Sequence, residues 1–196
     1  MARMRAEDRR RQLLEVAAEL FAERGFRATT TADLADAAGI TEPVLYRHFK
    51  SKRDLFITLL DQVGEEVIDT WRESLEGIEP PAERMRVLLA SNPATHERGR
   101  GVYRVIFQAM SELDNDRAVA TALRRHVTCL HAFLVSELEV LQKAGVVRRD
   151  EPARNIAWLL VDAAIGYGMV APLGLSGQSH VGRAGMQGLI VDLLKG

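Results

Sequence analysis

The sequence is poor in cysteine and in net charge. Its one cysteine, Cys129, cannot form an internal disulfide, and this usage is typical of the reducing cytoplasm. The 196 residues carry 26 Lys and Arg against 27 Asp and Glu, a formal net charge of −1. This balance argues against a chain that coats nucleic acid along its whole length. It permits a local basic region, because residues 1–53 carry 11 Lys and Arg against 8 Asp and Glu.

A signal peptide and a membrane span are both disfavoured. Residues 1–11 are basic, but the chain from Gln12 onward is amphipathic and lacks the apolar core of a signal peptide. Residues 157–175 are nearly all apolar and about as long as a membrane span. Asp162 lies inside this stretch, where an ionised carboxylate in lipid costs roughly 2.5–3.5 kcal/mol, and glycines and a proline interrupt it. We therefore predict a buried helix here, in a soluble, cytoplasmic protein.

Catalytic and metal-binding motifs are also missing. The sequence has no glycine-rich phosphate loop, paired CxxC or nucleophile elbow. His126 and His131 are five residues apart, so they do not share a helix face as metal ligands at i and i+4 would. Cys129 lies among apolar residues of a predicted helix and is expected to be a core thiol. No enzyme activity, cofactor or metal is predicted.

The sequence does contain helical periodicity along almost its whole length, without strand-like alternation. We predict an all-α fold with a three-helix head over residues 1–50 and a helical body over residues 51–196. The body is the predicted ligand-binding and dimerisation domain, and it begins with a long connecting helix that a capping-box pattern opens at Ser51. The head helices are predicted over residues 6–24, 32–38 and 42–49, with Gly25 and Phe26 ending the first and Thr31 and Thr41 capping the others. The later body helices are predicted over residues 81–92, 100–112, 116–143, 151–171 and 180–195, with breaks that include residues 77–81, 92–93 and 173–179.

Residues 31–49 have the pattern of a helix-turn-helix. Two short helices flank a tight turn at Gly39, where glycine readily adopts the backbone conformation that the turn requires. In such a motif the second helix enters the DNA major groove, with its N-terminal residues nearest the bases. The apolar inner face is expected to contain Leu34, Ala35, Ala38, Ile40, Leu45 and Phe49.

The segment from Thr29 to Lys52 resembles the tetracycline-repressor (TetR) family of bacterial regulators. The likeness is strongest in the run Leu-Tyr-Arg-His-Phe-Lys-Ser-Lys over residues 45–52. It covers about residues 8–60, and beyond them only the chain length and helix layout are similar. Pro43 departs from the pattern, because many relatives have glycine at this position.

The resemblance implies a role in DNA binding for nine residues. Phosphate contacts are implied for Thr31, Tyr46, His48 and Lys52, and base contacts for Thr41, Glu42, Pro43, Val44 and Arg47. Arg47 has the geometry to bond a guanine with two N–H groups, and Glu42 can accept from a cytosine amine.

Alternative interpretations of these residues remain open. Instead of contacting DNA, Tyr46 would be a half-buried core aromatic and His48 would be a solvated surface side chain. Glu42 would be a residue of the first helical turn that the helix dipole favours. Five N-terminal arginines form either a loose arm that reaches DNA or, as we favour, a solvated and disordered start: Arg3, Arg5, Arg9, Arg10 and Arg11.

The predicted helices over residues 151–171 and 180–195 are expected to form a dimer interface. The first has no polar face, so one side can line the core while another meets a partner. The resemblance implies that both helices pair with their copies, and a short recognition helix reads too few bases to be specific alone. The predicted interface residues are Ile156, Leu159, Leu160, Ala163, Met186, Leu189, Ile190 and Leu193. The alternative is ordinary core packing in a monomer.

The resemblance also implies a ligand cavity in the body. The candidate lining residues are Trp71, Tyr103, Phe107, Met110, His126, Phe133, Trp158 and Asp162. Asp162 either meets a cationic or hydrogen-bonding ligand or forms a salt bridge with an arginine such as Arg104 or Arg125. For each of the others, the alternative is ordinary core packing.

The function predicted from these features is that of a homodimeric repressor of transcription. A small hydrophobic or amphipathic ligand would release it from a palindromic double-stranded DNA operator. An activator and a regulator without a ligand are alternatives with the same fold. An alternative of another class is a helical enzyme or protein-interaction bundle with a vestigial head, for which DNA binding would be absent or insensitive to salt.

Overall fold

The structure is a computed structural model, and it describes residues 5–91, 97–170, 173 and 183–195, with the backbone alone at residues 97–102 and 183. This part of the chain contains α-helices and no strand, which confirms the predicted all-α fold. The helices are α1 (Ala6–Arg24), α2 (Thr31–Ala37), α3 (Glu42–His48), α4 (Lys52–Leu75), α5 (Pro81–Ala90), α6 (Glu97–Met110), α7 (Arg117–Lys143), α8 (Ala153–Val170) and α9 (Arg183–Leu194). Arg3, the predicted break at residues 92–93 and most of the break at residues 173–179 lie outside the described residues.

The chain divides into two compact units. The first unit contains Met1–Val63 and Gly101–His126, and the second contains Gly64–Arg100 and Val127–Gly196. Helices α4, α6 and α7 each contribute residues to both units. The division predicted at residue 50, between the head and the body, stays a prediction.

The end of α1 follows the predicted signal. Gly25 has a φ of 85°, and its N–H donates to the Phe21 carbonyl at 2.9 Å. A positive φ favours glycine, because a side chain at this position would be strained. The next residue, Phe26, lies beside Phe21 of α1 with a ring-centroid distance of 5.7 Å and so provides the expected hydrophobic contact after the helix.

The start of α2 corrects one predicted cap. The N-cap is Thr30 and not Thr31. The Thr30 hydroxyl accepts from the Asp33 N–H at 3.1 Å, and the Asp33 carboxylate accepts from the Thr30 N–H at 2.8 Å. This reciprocal pair bonds two N–H groups at once, which explains why the helix begins one residue earlier than predicted. The hydroxyl of Thr31 is thereby left available for another partner.

The starts of α3 and α4 use weaker caps than predicted. Thr41 is the N-cap of α3, but its side chain makes no capping hydrogen bond. At α4 the Ser51 hydroxyl accepts from the Asp54 N–H at 3.1 Å. The Asp54 carboxylate accepts from the Lys50 N–H at 2.9 Å, so only half of the predicted capping box forms.

The three head helices pack on one another around a small apolar core. Leu34 of α2, together with Leu45 and Phe49, is buried as predicted, while Ile40 in the turn is half-buried. The turn residue Gly39 has a φ of 64°, as the predicted tight turn requires. The recognition helix α3 is therefore held by its apolar face.

In the second unit, α8 has one buried and one exposed apolar side. Ile156 and Leu160 are buried, whereas Trp158, Leu159 and Met169 are exposed in the single chain. Among the described residues, no helix is both long and apolar enough to cross a bilayer. The expectation of a core thiol at Cys129 is wrong, because this side of α7 is exposed.

Candidate nucleic-acid interface

Helix α3 presents its polar and small side chains to solvent. Thr41, Pro43 and Arg47 are exposed, and Val44 is half-buried. Pro43 lies in the first turn, where its missing N–H leaves no hydrogen bond unmade. Within the described residues, the Arg47 guanidinium has no hydrogen-bonding or ionic partner, so both of its edges are available to a ligand.

Three of the predicted DNA-binding residues lie together where α2 and α3 meet. The Thr31 hydroxyl donates to Oε2 of Glu42 at 2.6 Å, and the Tyr46 hydroxyl donates to Oγ1 of Thr31 over a longer 3.4 Å. Glu42 and Tyr46 are four residues apart in α3 and so share one helix face. Tyr46 is 49% exposed, and the choice between a phosphate contact and a half-buried aromatic stays a prediction.

Lys52 is held by the backbone of the α1–α2 loop. Its Nζ donates to the carbonyls of Phe26 at 2.8 Å and Thr29 at 2.7 Å, and it lies 4.5 Å from the centroid of the Phe26 ring. Partial burial lowers the pKa of Lys52 from its ordinary value. An ammonium group has three N–H donors, so one remains for a DNA phosphate.

His48 and Arg10 form a second contact, at the other end of α3. An Arg10 N–H donates to the His48 carbonyl at 2.6 Å, and the guanidinium lies 4.2 Å from the centroid of the Phe49 ring. Burial, with Arg47 and the arginines of α1 adding to it, lowers the pKa of His48. A neutral imidazole still donates one N–H, so the predicted phosphate contact of His48 does not require its charge.

The contact made by Arg10 changes the interpretation of the N-terminal arginines. Arg10 is neither a loose arm nor part of a disordered start, because it belongs to α1 and is bonded to the end of α3. Arg9 also lies in α1 and donates to Gln12 at 2.6 Å. Arg5 and Arg11 are exposed. No sequence pattern pointed to Arg10, since its partner is 38 residues away.

Two ion pairs in the first unit join the head region to the corner between α6 and α7. Arg27 binds both carboxylate oxygens of Glu112, at 2.7 and 3.1 Å, and the Glu112 side chain is only 7% exposed. Arg53 binds Asp116 at 2.6 Å. The Asp116 side chain also accepts from two N–H groups in the first turn of α7. Sequence reasoning missed both pairs, because each joins residues far apart in the chain.

Four of the predicted ligand-lining residues belong to the first unit. Tyr103 and His126 are buried, with ring centroids 6.1 Å apart, while Phe107 is half-buried and Met110 is exposed. Burial lowers the pKa of His126 to about 4 and raises the pKa of the Tyr103 phenol. Neither ring nitrogen of His126 has a hydrogen-bond partner in the described part of the chain.

The other four predicted ligand-lining residues belong to the second unit. Trp71 is buried and stacks on Phe133 at a centroid distance of 5.4 Å, and its Nε1 has no partner among the described residues. Trp71 lines a cavity of about 30 Å³ with residues of α5, α7, α8 and α9, which has room for water but not for a drug-sized ligand. Trp158 is exposed and stacks on His131 at 4.3 Å.

Asp162 is exposed in the single chain, so it does not pose the problem of a buried carboxylate. Arg125, one of its two suggested salt-bridge partners, pairs with Asp61 instead. The role of Asp162 in ligand binding stays a prediction.

The predicted dimer residues differ in how much surface they offer to a second copy. Leu159, Leu189 and Leu193 are exposed, at 44%, 63% and 53%. Ala163, Met186 and Ile190 are half-buried. Ile156 and Leu160 are buried within their own unit, so little of their surface is left for a partner.

The helix-turn-helix matches a known family of DNA-binding proteins. Residues 13–59 match the family described as bacterial regulatory proteins, tetR family. The chain thus contains a segment of TetR-family sequence. The chain is 42% identical over 84 residues to the transcriptional repressor KstR2 of Mycobacterium tuberculosis, covering 43% of this chain and 42% of the relative. It is 33% identical over 106 residues to the transcriptional activator FasR of Mycolicibacterium smegmatis, covering 54% of this chain and 48% of the relative.

These matches span about half, or less, of the length of the two relatives. Both are described as regulators of transcription, which agrees with the prediction that the chain is not an enzyme. The fold extends further than the sequence likeness. A transcriptional regulator from Saccharomonospora viridis, solved in complex with choline, matches with a TM-score of 0.80 and 24% identity over 94% of each chain.

Proposed function

We propose that the chain is a cytoplasmic, homodimeric repressor of transcription that binds a palindromic operator and is released by a small-molecule ligand. The observation that carries the DNA-binding part is the arrangement of α3. Leu45 and Phe49 anchor this helix in the core, while Thr41, Pro43 and Arg47 are exposed at its N-terminal and outer positions. These positions are the ones that meet base edges when a recognition helix enters the major groove.

The homodimer is supported by apolar surface on α8 and α9. Leu159, Leu189 and Leu193 each leave about half of the side chain or more in water in the single chain. Burying such surface against a second copy is favourable, by about 25 cal/mol for each Å² removed from water. A two-fold dimer also supplies two recognition helices for the two halves of a palindrome.

The ligand is supported by unpaired polar atoms in the interior of each unit. Nε1 of Trp71 and both ring nitrogens of His126 are buried without a partner in the described residues. An unpaired buried polar atom costs about 1–3 kcal/mol, so a ligand that bonds it gains affinity. The choline complex of the structural neighbour supports a small molecule as the effector class in this fold.

Release follows from a shift in population. A ligand that binds one arrangement of the two recognition helices more tightly favours that arrangement in proportion to its differential affinity. If the favoured arrangement does not fit two successive major grooves, DNA affinity falls. Because α4 contributes residues to both units, it is the element that we propose transmits the change.

Activation is the second candidate function, and the similarity to the activator FasR favours it. Repressor and activator would bind DNA through the same residues and would differ in the position of the operator relative to the promoter. A transcription assay on the identified operator would distinguish them, because a repressor lowers the transcript level and an activator raises it.

The experiment that tests the proposal is selection of bound duplexes from a random DNA pool by the full chain. We expect a palindromic sequence to be enriched, and its affinity to fall steeply as salt rises from 50 to 200 mM. The enriched duplex then serves to screen small molecules for release, measured by fluorescence anisotropy. Enrichment of no palindrome, or binding that is insensitive to salt, would contradict the proposal.

A further inference from the structure

The contact between Thr31 and Glu42 places a negative charge where the resemblance implies a DNA phosphate contact. Thr31 is an implied phosphate donor, yet its one hydroxyl hydrogen is given to the Glu42 carboxylate at 2.6 Å. A threonine hydroxyl has a single O–H to donate. While this bond is made, Thr31 can only accept a hydrogen bond, which a phosphate oxygen cannot provide.

Tyr46 extends the same arrangement. Its hydroxyl hydrogen is directed to Oγ1 of Thr31 over 3.4 Å, a long and therefore weak bond that a phosphate can replace. Tyr46 is 49% exposed, while Thr31 and Glu42 are half-buried beside it. One implied phosphate donor, Thr31, is thus bonded to a carboxylate of the protein itself, and the other, Tyr46, is directed to the hydroxyl oxygen of Thr31.

We propose that Glu42 is an internal substitute for a DNA phosphate, which lowers the affinity of the head for DNA of any sequence. Its carboxylate takes the hydrogen bond from Thr31 that a phosphate would otherwise receive, and its charge repels the phosphate that approaches. Only a duplex whose other contacts, such as those of Arg47, compensate for this cost binds tightly. Because this cost is the same for every sequence, Glu42 lowers operator affinity and general DNA affinity by a similar factor, so that binding without such additional contacts is weak. The inference rests on the proposed DNA-binding function.

This interpretation differs from base reading by Glu42. A glutamate that reads a cytosine gains affinity from its carboxylate on the right sequence and has no reason to weaken binding to mixed sequences beyond its charge. An internal substitute weakens binding to every sequence, and it does so through Thr31. The two roles are separated by measuring affinity for a duplex of mixed sequence and by testing whether the effect depends on Thr31.

The test uses a fluorescein-labelled 30-base-pair duplex of mixed sequence, titrated with the full chain at several salt concentrations. For Glu42→Gln we expect about three- to ten-fold tighter binding at low salt, the size of effect that one nearby unit charge has in water. The matched control is Asp36→Asn, which removes one negative charge from an exposed side chain of α2. We expect its gain to be less than two-fold, since Asp36 is not bonded to Thr31.

The dependence on Thr31 is tested by a double-mutant cycle. The loss of affinity caused by Thr31→Val should be smaller in the wild-type chain than in the Glu42→Gln chain, because in the wild type the hydroxyl hydrogen is already bonded to Glu42. In the Glu42→Gln background the same change should remove part of the gain, since a neutral amide oxygen holds the hydroxyl hydrogen less strongly than a carboxylate does and a phosphate can compete for it. Glu42→Ala provides a second variant, and circular dichroism melting curves establish that each variant is folded.

The two experiments have outcomes that either support or overturn the proposed role of Glu42. A gain for Glu42→Gln that exceeds the gain for Asp36→Asn and depends on Thr31 supports the inference. Equal gains for the two variants, a gain that is independent of Thr31, or weaker binding by Glu42→Gln overturns the inference and leaves the proposed function intact. If the wild-type chain binds no duplex even at low salt, the proposed function fails and the inference fails with it.

Discussion

The Arg10 guanidinium donates a hydrogen bond of 2.6 Å to the backbone carbonyl of His48, the last residue of the recognition helix α3. The same group lies over the Phe49 ring and reaches Oγ1 of Thr58 at 3.5 Å. A cation at the C-terminus of a helix is favoured by the helix dipole and bonds a carbonyl that has no partner within the helix. Arg10 thus fixes one end of α3, while Thr31 and Glu42 join its other end to α2.

Replacing Arg10 should loosen α3. For Arg10→Ala we expect a loss of about 1–2 kcal/mol in the free energy of unfolding, measured by urea titration, since a charge-assisted hydrogen bond and a cation–π contact are both removed. Arg11→Ala is the matched control, because it removes the same charge from an exposed neighbour in α1. Equal stability of the two variants would show that the contact with His48 contributes nothing.

The acid stability of the chain should depend on His126. Burial lowers its pKa to about 4, whereas the ordinary histidine value is 6.5. Between these values the unfolded chain binds a proton that the folded chain does not, so stability falls as the pH drops from about 6.5 to about 4. The fall amounts to about 3 kcal/mol at most. His126→Leu should remove most of this slope.

Two other histidines provide checks on that result. His48 also has a lowered pKa, so part of the acid slope should remain in His126→Leu. His131→Gln should keep the wild-type slope, because His126 is unchanged. At neutral pH His126→Leu should be as stable as the wild type or more so, since it replaces by apolar atoms two buried nitrogens that have no partner in the described part of the chain. Urea titrations at pH 4.5, 5.5 and 7 test all three statements.

Much of the fold could be predicted because most helix boundaries have a local cause. Gly25 ends α1 and Pro81 begins α5, and each acts through its own backbone, so neither needs the rest of the fold. The start of α2 was predicted one residue late, because three consecutive threonines offer the same cap and only the bond to Asp33 selects Thr30.

The side-chain partners could not be predicted in the same way. Glu112 lies 85 residues from Arg27, and no periodicity joins two such positions. The environment of Cys129 was predicted wrongly for a related reason. Its neighbours in sequence are apolar, but which side of a long helix faces water depends on what packs against it. Thr31 was predicted to donate to a phosphate because it has a hydroxyl group at a suitable position. The sequence gives no sign that this hydroxyl already donates to Glu42.

Oligomerisation should depend on the exposed leucines of α9. We expect Leu189→Asp to convert a dimer into a monomer at micromolar concentration, measured by light scattering, because a carboxylate would be buried in an apolar interface. Leu189 is 63% exposed in the single chain, so the monomer itself should remain folded. Val140→Asp is the control, since Val140 is also exposed but lies on α7. A wild-type chain that is monomeric would contradict the dimer directly.

Arg47 should determine operator specificity and not general affinity for DNA. Its guanidinium is free in the described structure and lies on the exposed side of α3, where a bidentate bond to guanine is geometrically accessible. For Arg47→Ala we expect a loss of about 1–3 kcal/mol on the selected operator and relaxed preference at one base pair in each half-site. Lys50→Ala is the matched control, because it removes one positive charge from an exposed residue just after α3. That control should weaken binding to operator and mixed duplex by a similar factor, as the loss of a phosphate contact does. A similar uniform loss for Arg47→Ala would assign Arg47 to the DNA backbone and leave base reading to the remaining side chains of α3.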